Sequence, residues 1–572
     1  MTVQPKDSYD VVILGGGLAG LCLGLQLKKE RPETSILIAE KRDGPAPEAA
    51  FKVGESTVEI SANYFGEVVG MKDHIEADQL HKIGLRYFFP AGDNTDLSQR
   101  VEWGVPFKPP VPSYQLDRGR FENELGERNL AAGIDLLGNC RVLEVDLNSD
   151  SGHVITMSRG DEQLQVKAHW VVDAGGRAFI LKRKLDLLED NGHVVNSSWL
   201  RLGGGINVED WVDESDDEWF APMTERGLRQ FSTNHLCGQG YWVWLIPLSS
   251  GSISIGIVAD DRFHPYEQIR TLEGTLEWFR EHEPQLAEVL DARQDQIEDF
   301  LKVSNFSYGC KQVYSGSRRW CLVGEAGPFL DPFYSPGSDF IAMGNTLTTD
   351  LIVRELGGED VTERARTHND LFLRLYREAL GWYEGQYVFW GDPQVMIAKI
   401  ACNNIVYWST SALLFFNRKL SEPEFMAEVM PDLERIWKVN RRLEAMFREW
   451  FEIGAREWQR AFVAPTGFPS MGLRHVELAL DFDDEALKAK IKEDADLVEA
   501  VATLVFRKAA ESLPEGPPDP DEKVNPYAIS LDPDRWEADG LLDGSGLTVA
   551  EADERAPGID NLWLDRVARS VA

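Results

Sequence analysis

The strongest constraint on this chain lies at its start. Residues 9–14, "YDVVIL", form an apolar run too short for a helix, and it stops at Gly15-Gly16-Gly17-Leu18-Ala19-Gly20. A helical pattern continues to Lys29, and a second apolar run, "SILIAEKR", follows. This is a βαβ opening. The glycines fit G-x-G-x-x-G between a strand and a helix, and Glu40 stands at the end of the second strand. In that context the motif reads as a dinucleotide site. Gly15 permits the tight turn, Gly17 lets backbone N–H groups at the helix N-terminus approach a pyrophosphate, and Gly20 allows close helix–sheet packing. Leu18 and Ala19 open that helix, and Glu40, with Lys41 beside it, is placed to accept a ribose hydroxyl.

The rest of the 572 residues gives room for more than this unit. Val-rich runs separated by turn residues fill about 141–173, further strand-like runs fill 199–260, and helical periodicity takes over after residue 340. The expected class is α/β (α+β). A cofactor-binding module covers 1–350 with an antiparallel sheet insertion at about 185–300, a mostly helical domain covers 351–512, and a Pro-rich, acidic, solvated linker and tail covers 513–572. A net charge of −36 repels phosphate backbones and anionic membranes, so neither nucleic acid nor membrane is an expected partner. The six cysteines lack C-x-x-C spacing and the ten histidines lack metal-ligand spacing, so no disulfide framework or metal site is expected. With no leader-like segment and no apolar run near the ~20 residues of a spanning helix, a cytoplasmic protein is expected.

"YWVWLIPL", residues 241–248, reads as a strand ended by Pro247. Residues two apart on a strand face one way, so Trp242 and Trp244 stand side by side while Val243 and Leu245 face the other. Each indole can bury ~150–250 Å². Such a pair makes a rigid wall.

Two further glycine turns, "VVDAGGR" at 171–177 and "CLVGEAGPFLDP" at 321–332, resemble those of glutathione-reductase-like flavoproteins of the FAD monooxygenase superfamily. The resemblance covers about residues 8–350 and implies FAD contacts from Asp173, Ala174, Gly175, Gly324, Glu325 and Pro332. It also implies contacts from the helix-opening "QLDRGRFENEL" through Gln115 and Arg118, and from the strand residues Val142 and Leu143. There is no second G-x-G-x-x-G for NADPH, so a separate flavin reductase is expected to supply reduced flavin.

Within that superfamily the chain resembles the flavin-dependent halogenases, in a phenol- or pyrrole-type branch. Their marks occur here in order: Gly15 to Gly20, Lys82 in "HKIGLRYFF", Trp242-Val243-Trp244-Leu245-Ile246-Pro247, and Phe329 to Gly337 in "FLDPFYSPG". "KVGESTV" at 52–58, with Gly54, Glu55 and Ser56, is similar to the family segment bridging flavin and tunnel. The family chemistry implies that flavin hydroperoxide and halide, chloride or bromide, give hypohalous acid, which passes to Lys82 and halogenates an electron-rich aromatic. Trp242, Trp244, Ile246 and Pro247 would then separate flavin from substrate, and Ser335, Gly337 and Ser338 would meet the halide. Tryptophan halogenases carry glutamate before the motif serine, where this chain has Tyr334. Phe333 and Tyr334 are expected at the pocket of a phenol or pyrrole, free or carrier-tethered. Pro336 lacks the N–H that the family offers to halide. Two alternatives stay open: an FAD-dependent aromatic monooxygenase or oxidase on the same scaffold, and a non-catalytic FAD-binding module.

Overall fold

The computed structural model describes residues 4–48, 53–90, 92–148, 150–453 and 458–564. Its parallel sheet grows from the opening unit. Ser8–Leu14 lies parallel between Ile36–Ala39 and Glu162–Asp173, with Leu14 opposite both Ala39 and Asp173. Trp320–Leu322 adds in parallel to the far side of Glu162–Asp173, where Asp173 faces Leu322. Asp135–Leu137 continues beyond Ile36–Ala39. Val11 to Leu14 and Ile36 to Ile38 are buried, as a sheet covered on both faces requires. Three parallel strands therefore end level, and the glycine turns that follow them open into one crevice. Helix Leu18–Glu30, buried from Leu18 to Leu27, packs between helices Arg118–Ala131 and Gly337–Leu356.

A second sheet has the spatial order Ile297–Val303, Val195–Leu202, Ile253–Asp260, Tyr241–Pro247, Thr233–Gly238, Leu85–Phe89, Val101–Trp103, Ala461–Val463. The strands between residues 195 and 303 pair antiparallel. Leu85–Phe89 joins Thr233–Gly238 in parallel, and Ala461–Val463 joins Val101–Trp103 in parallel. The sheet thus draws on strands outside the 185–300 stretch, because its edges are completed by segments that themselves need a partner. Leu85–Phe89 carries the chain away from Lys82, which fixes the lysine at this sheet's margin.

Beyond residue 356 the chain is mainly helical, with Thr362–Leu380, Pro393–Tyr407, Pro423–Glu452 and Asp484–Ala510 as the long elements. Two π-helical turns interrupt helices, at Tyr64–Val68 and at Trp408–Ala412. Such turns rotate the following side chains out of register. Residues 447–462 space their aromatics helically, but the helix ends at Glu452, and 454–457 lie outside the described residues. The stretch after residue 513, expected to be solvated, instead buries Val524, Ile529, Leu531, Leu541 and Leu562. Its prolines and aspartates dominate the composition, but the apolar residues between them find the nearly all-round buried helix Asp484–Ala510. Among the described residues no helix is long and apolar enough to cross a membrane.

Candidate active site

The crevice at the strand ends has the features of a dinucleotide cradle. Gly15 sits at φ +122°, and a Cβ there would lie 2.4 Å from the Ala174 carbonyl oxygen. At Gly20 a Cβ would lie 2.1 Å from the Gly15 oxygen, whereas at Gly17 it would meet nothing within 4 Å. Gly15 and Gly20 serve the protein's own packing, and Gly17 keeps the helix N-terminus approachable. Glu40 accepts hydrogen bonds from the Gly16 and Arg42 N–H groups, both at 2.8 Å, leaving a lone pair on each oxygen. Lys41 beside it is exposed. The Cys140 N–H reaches the Glu40 carbonyl at 2.8 Å, which brings strand Cys140–Asp146 alongside. Within that strand Val142 is half-buried, and Leu143, at a register shift, is 55% exposed.

The other two turns close on the first. Asp173 caps its own turn, accepting from Gly175 N–H at 2.9 Å and Leu181 N–H at 2.7 Å. Burial raises its carboxyl to about 6. Gly324, at φ +57°, lies so close to the Ala19 methyl that a Cβ would come within 2.9 Å. Burial also pushes the Glu325 carboxyl up, against the nearby charges of Arg177 and Arg118. Arg118 donates to the Val53 carbonyl at 2.8 Å and to Glu122 at 2.6 Å, but its Nε–H is buried without a partner. An open glycine at a helix N-terminus, carboxylates with spare lone pairs and an orphaned guanidinium N–H fit an FAD-sized dinucleotide. Lys52 lies outside the described residues.

A separate cavity of about 320 Å³ lies beside the second sheet. Its walls include Val58, Glu59, Lys82, Tyr87, Trp103, Phe107, Tyr334, Pro336, Asp339, Asn403, Tyr407, Trp408 and His475. Lys82 is fully shielded from bulk water. Its Nζ donates to Ser56 Oγ at 2.8 Å and to the Thr57 carbonyl at 2.7 Å. Burial lowers the ammonium to about 7, against the opposing pull of Glu59 and Asp339. Burial raises Asp339 to about 7 even though Tyr407 and Ser61 hydrogen bond to it.

Ser56 joins this lysine to the motif loop. Its hydroxyl lies 2.8 Å from Thr233 Oγ1 and receives a hydrogen bond from Ser335 Oγ at 3.0 Å. Gln115 donates to the same Thr233 hydroxyl at 2.9 Å, so four distant stretches of chain meet at one cluster of hydroxyls. Ser335 itself holds φ +58°, a strained value outside glycine. Pro332 accepts from the Ser335 N–H at 2.8 Å and sets that turn. Helix Gly337–Leu356 starts directly afterwards, and Phe340 N–H makes its first main-chain bond, to Pro336. Pro336 offers no donor, while the N–H groups of Gly337 and Ser338 occupy the first helical turn, which lacks intrahelical partners.

The two indoles stand together as expected, 5.7 Å between ring centroids, but neither lines the cavity. Tyr87, His235 and Phe333 intervene, with Trp242 packed 5.2 Å from His235 and 5.4 Å from Phe333. Burial drops the His235 imidazole to about 3, so it packs as a neutral ring. Trp242 Nε1 donates to Tyr387 Oη at 3.0 Å, and the Tyr387 hydroxyl donates to Asp331. Trp244 Nε1 donates to Ser254 Oγ at 3.1 Å, and its ring lies over Gly256, where a Cβ would come within 2.1 Å. Ile246 continues the same face, and Pro247 ends the strand. On the far side Glu55, pushed up to about 7 by burial, pairs with Arg201 at 2.7 Å.

No protein-family model matches the chain. The flavin-dependent halogenase chlA of Dictyostelium discoideum is 29% identical over 384 residues, 60% of each chain. A chlorinase of 1H-pyrrole-2-carbonyl peptidyl-carrier protein from Pseudomonas fluorescens is 24% identical over 388 residues, covering 66% of this chain and 82% of its own. The chain is similar in sequence to flavin-dependent halogenases. It spans only 60% of the length of the Dictyostelium relative. The crystal structure of halogenase PltM shares the fold, with a TM-score of 0.60 at 16% identity, covering 87% of this chain and 96% of that one.

The chain also carries cavity residues that its motifs do not announce. Tyr407, Asn403 and His475 come from segments with no recognisable spacing, while Glu59 directly follows the 52–58 segment and Asp339 stands two residues after Gly337. Tyr334, where the tryptophan enzymes have glutamate, donates to the Asn403 side-chain oxygen at 3.2 Å. The Asn403 nitrogen donates to Glu444 at 2.7 Å, and Glu444 pairs with the fully buried Lys399 at 2.5 Å.

Proposed function

We propose that this protein halogenates an electron-rich aromatic substrate, using reduced FAD from a separate flavin reductase, oxygen, and chloride or bromide. The observation that carries the proposal is Lys82: a lysine buried in an aromatic cavity, hydrogen-bonded through Ser56 to Ser335 of the motif loop. FAD, held by the Gly15–Gly20 turn, Glu40, Arg118 and Glu325, would supply the oxidising power that converts halide to hypohalous acid. Gly337 and Ser338 N–H groups at the helix N-terminus would attract the halide anion.

The chain's own groups act on the small oxidant. The Trp242 and Trp244 wall, backed by Phe333 and His235, keeps an organic molecule in the Lys82 cavity away from the flavin crevice. Hypohalous acid is small enough to use the polar Ser335–Ser56 path between them. At the cavity Lys82 donates a proton to its oxygen, or, as the free amine, takes the halogen itself. Burial to about 7 makes both forms available at neutral pH. The Pseudomonas relative is named for a carrier-bound pyrrole. The aromatic lining of this cavity equally suits a free phenol, and Tyr334 leaves out the carboxylate that the tryptophan enzymes use.

The test is incubation with flavin reductase, NADH, bromide and a panel of phenols and pyrroles, with products read by mass spectrometry. Brominated products are expected. A second reading, an aromatic monooxygenase, is favoured by Pro336, which removes one halide donor. Labelled oxygen separates the two, since a hydroxylase incorporates it into the organic product and a halogenase does not.

A further inference from the structure

Asp339 is the cavity group that the halogenation chemistry has not yet used, and its surroundings differ from those of every other acid there. It stands in the first turn of helix Gly337–Leu356, 2% exposed, where the helix dipole favours a negative charge. Its two oxygens accept from neutral donors only: Ser61 N–H at 2.9 Å and Tyr407 Oη at 2.6 Å. Each oxygen keeps a lone pair. Glu59, by contrast, is engaged by His475 at 3.2 Å, and the Tyr334 hydroxyl is committed to Asn403.

Resting on the halogenase reading above, we propose that Asp339 is a catalytic base that accepts the hydroxyl proton of a neutral hydroxyarene while Lys82 acts on the hypohalous acid from another part of the cavity wall. The substrate class follows from the same geometry. Glu59 and Asp339 together repel an arene carboxylate, while a neutral hydroxyl supplies the donor that the Asp339 lone pairs lack. A two-ring phenol matches a cavity of about 320 Å³ lined by Tyr87, Trp103, Phe107 and Trp408. Acid and base are also matched for proton exchange, with Lys82 and Asp339 both moved by burial to about 7.

Asp339 takes the O–H proton, and the ring carbon ortho or para to that oxygen forms a bond to halogen. The halogen–oxygen bond breaks with its electron pair on oxygen, which takes a proton from the Lys82 ammonium and leaves as water. The ring C–H proton then passes to the Lys82 amine, and Asp339 returns its proton to the phenol oxygen. Hydroxyarene and hypohalous acid become halohydroxyarene and water, with carbon oxidised and halogen reduced by two electrons.

Binding and turnover test this separately. 2-Naphthol and its methyl ether, titrated by fluorescence against the holoprotein, differ only in the donated proton. The wild type is expected to prefer naphthol by about tenfold or more, and Asp339→Ala to reduce that preference to within about twofold. Should Asp339→Ala fail to retain FAD, the isosteric Asp339→Asn serves, with turnover of naphthol reduced by about a hundredfold and partly restored by phenols already ionised at the assay pH. Equal binding of naphthol and ether to the wild type, or a preference unchanged in the variant, overturns the proposal. If the wild type halogenates nothing in the panel, the functional reading fails, while the binding preference still decides whether Asp339 recognises a hydroxyl.

Discussion

Burying the Lys82 ammonium costs stability, and the proposed reaction gives that burial a use. Replacing it with alanine is expected to lower halogenated product by about a hundredfold or more while reduced flavin continues to be oxidised, measured as product against oxygen uptake. Lys82 is also a titration probe. Its folded value, near 7, lies below the ordinary lysine range, so between about pH 7 and 10.5 the unfolded chain binds more protons than the folded one. Its contribution to stability therefore rises with pH across that window and is least favourable below it. Lys82→Met should flatten this slope and raise the apparent unfolding temperature at pH 6 by about 1–2 °C, read by differential scanning fluorimetry. The charged and titratable neighbours Glu59, Asp339, His475 and Tyr407 remain in the variant, so the change in slope reports the lysine. At this scale the sequence was informative where a motif fixed the backbone, as for the tight turn at Gly15 and the close packing at Gly20. It was silent on Thr233 and Tyr407, whose roles arise only when remote segments meet.

Among the elements, strand Tyr241–Pro247 was legible because alternation of side chains is a local rule, and its two faces do separate into two cores. What spacing could not show is the clamp on each indole. Trp242 is tied to the motif loop through Tyr387 and Asp331, and Trp244 to Ser254 on the neighbouring strand. Tyr387→Phe removes the middle of the first link and leaves Asp331 and the indole N–H short of a partner. It should cost about 1–3 kcal/mol, measured by denaturant unfolding. Gly256→Ala puts a methyl into the Trp244 ring and must displace the indole, at about 1–3 kcal/mol. The π-helical turn at Trp408–Ala412 likewise had no sequence mark, since "IVYWSTSALLFF" reads as an ordinary buried helix.

For the molecule as a whole, the parallel sheet was readable from the opening βαβ unit, while the borrowing of Leu85–Phe89, Val101–Trp103 and Ala461–Val463 by the second sheet was not. Strand pairing across hundreds of residues leaves no local trace. The segment after residue 513 packs against the fold unannounced for a related reason, because average composition hides a few well-placed apolar side chains. Truncation after residue 512 would expose the surface that Val524, Ile529 and Leu541 cover, and lower solubility or aggregation temperature is expected by light scattering.

Lys82, bonded to the hydroxyl cluster at Ser56, and the residues contributed by 465–476 lie on different parts of one enclosure. In the proposed reaction, oxidant delivery would depend on the former and molecular fit largely on the latter. Exchanging the late helical segments between relatives should therefore redirect which compound is modified while leaving the supply of reactive halogen intact, giving the scaffold an exchangeable receptor above a fixed reagent port.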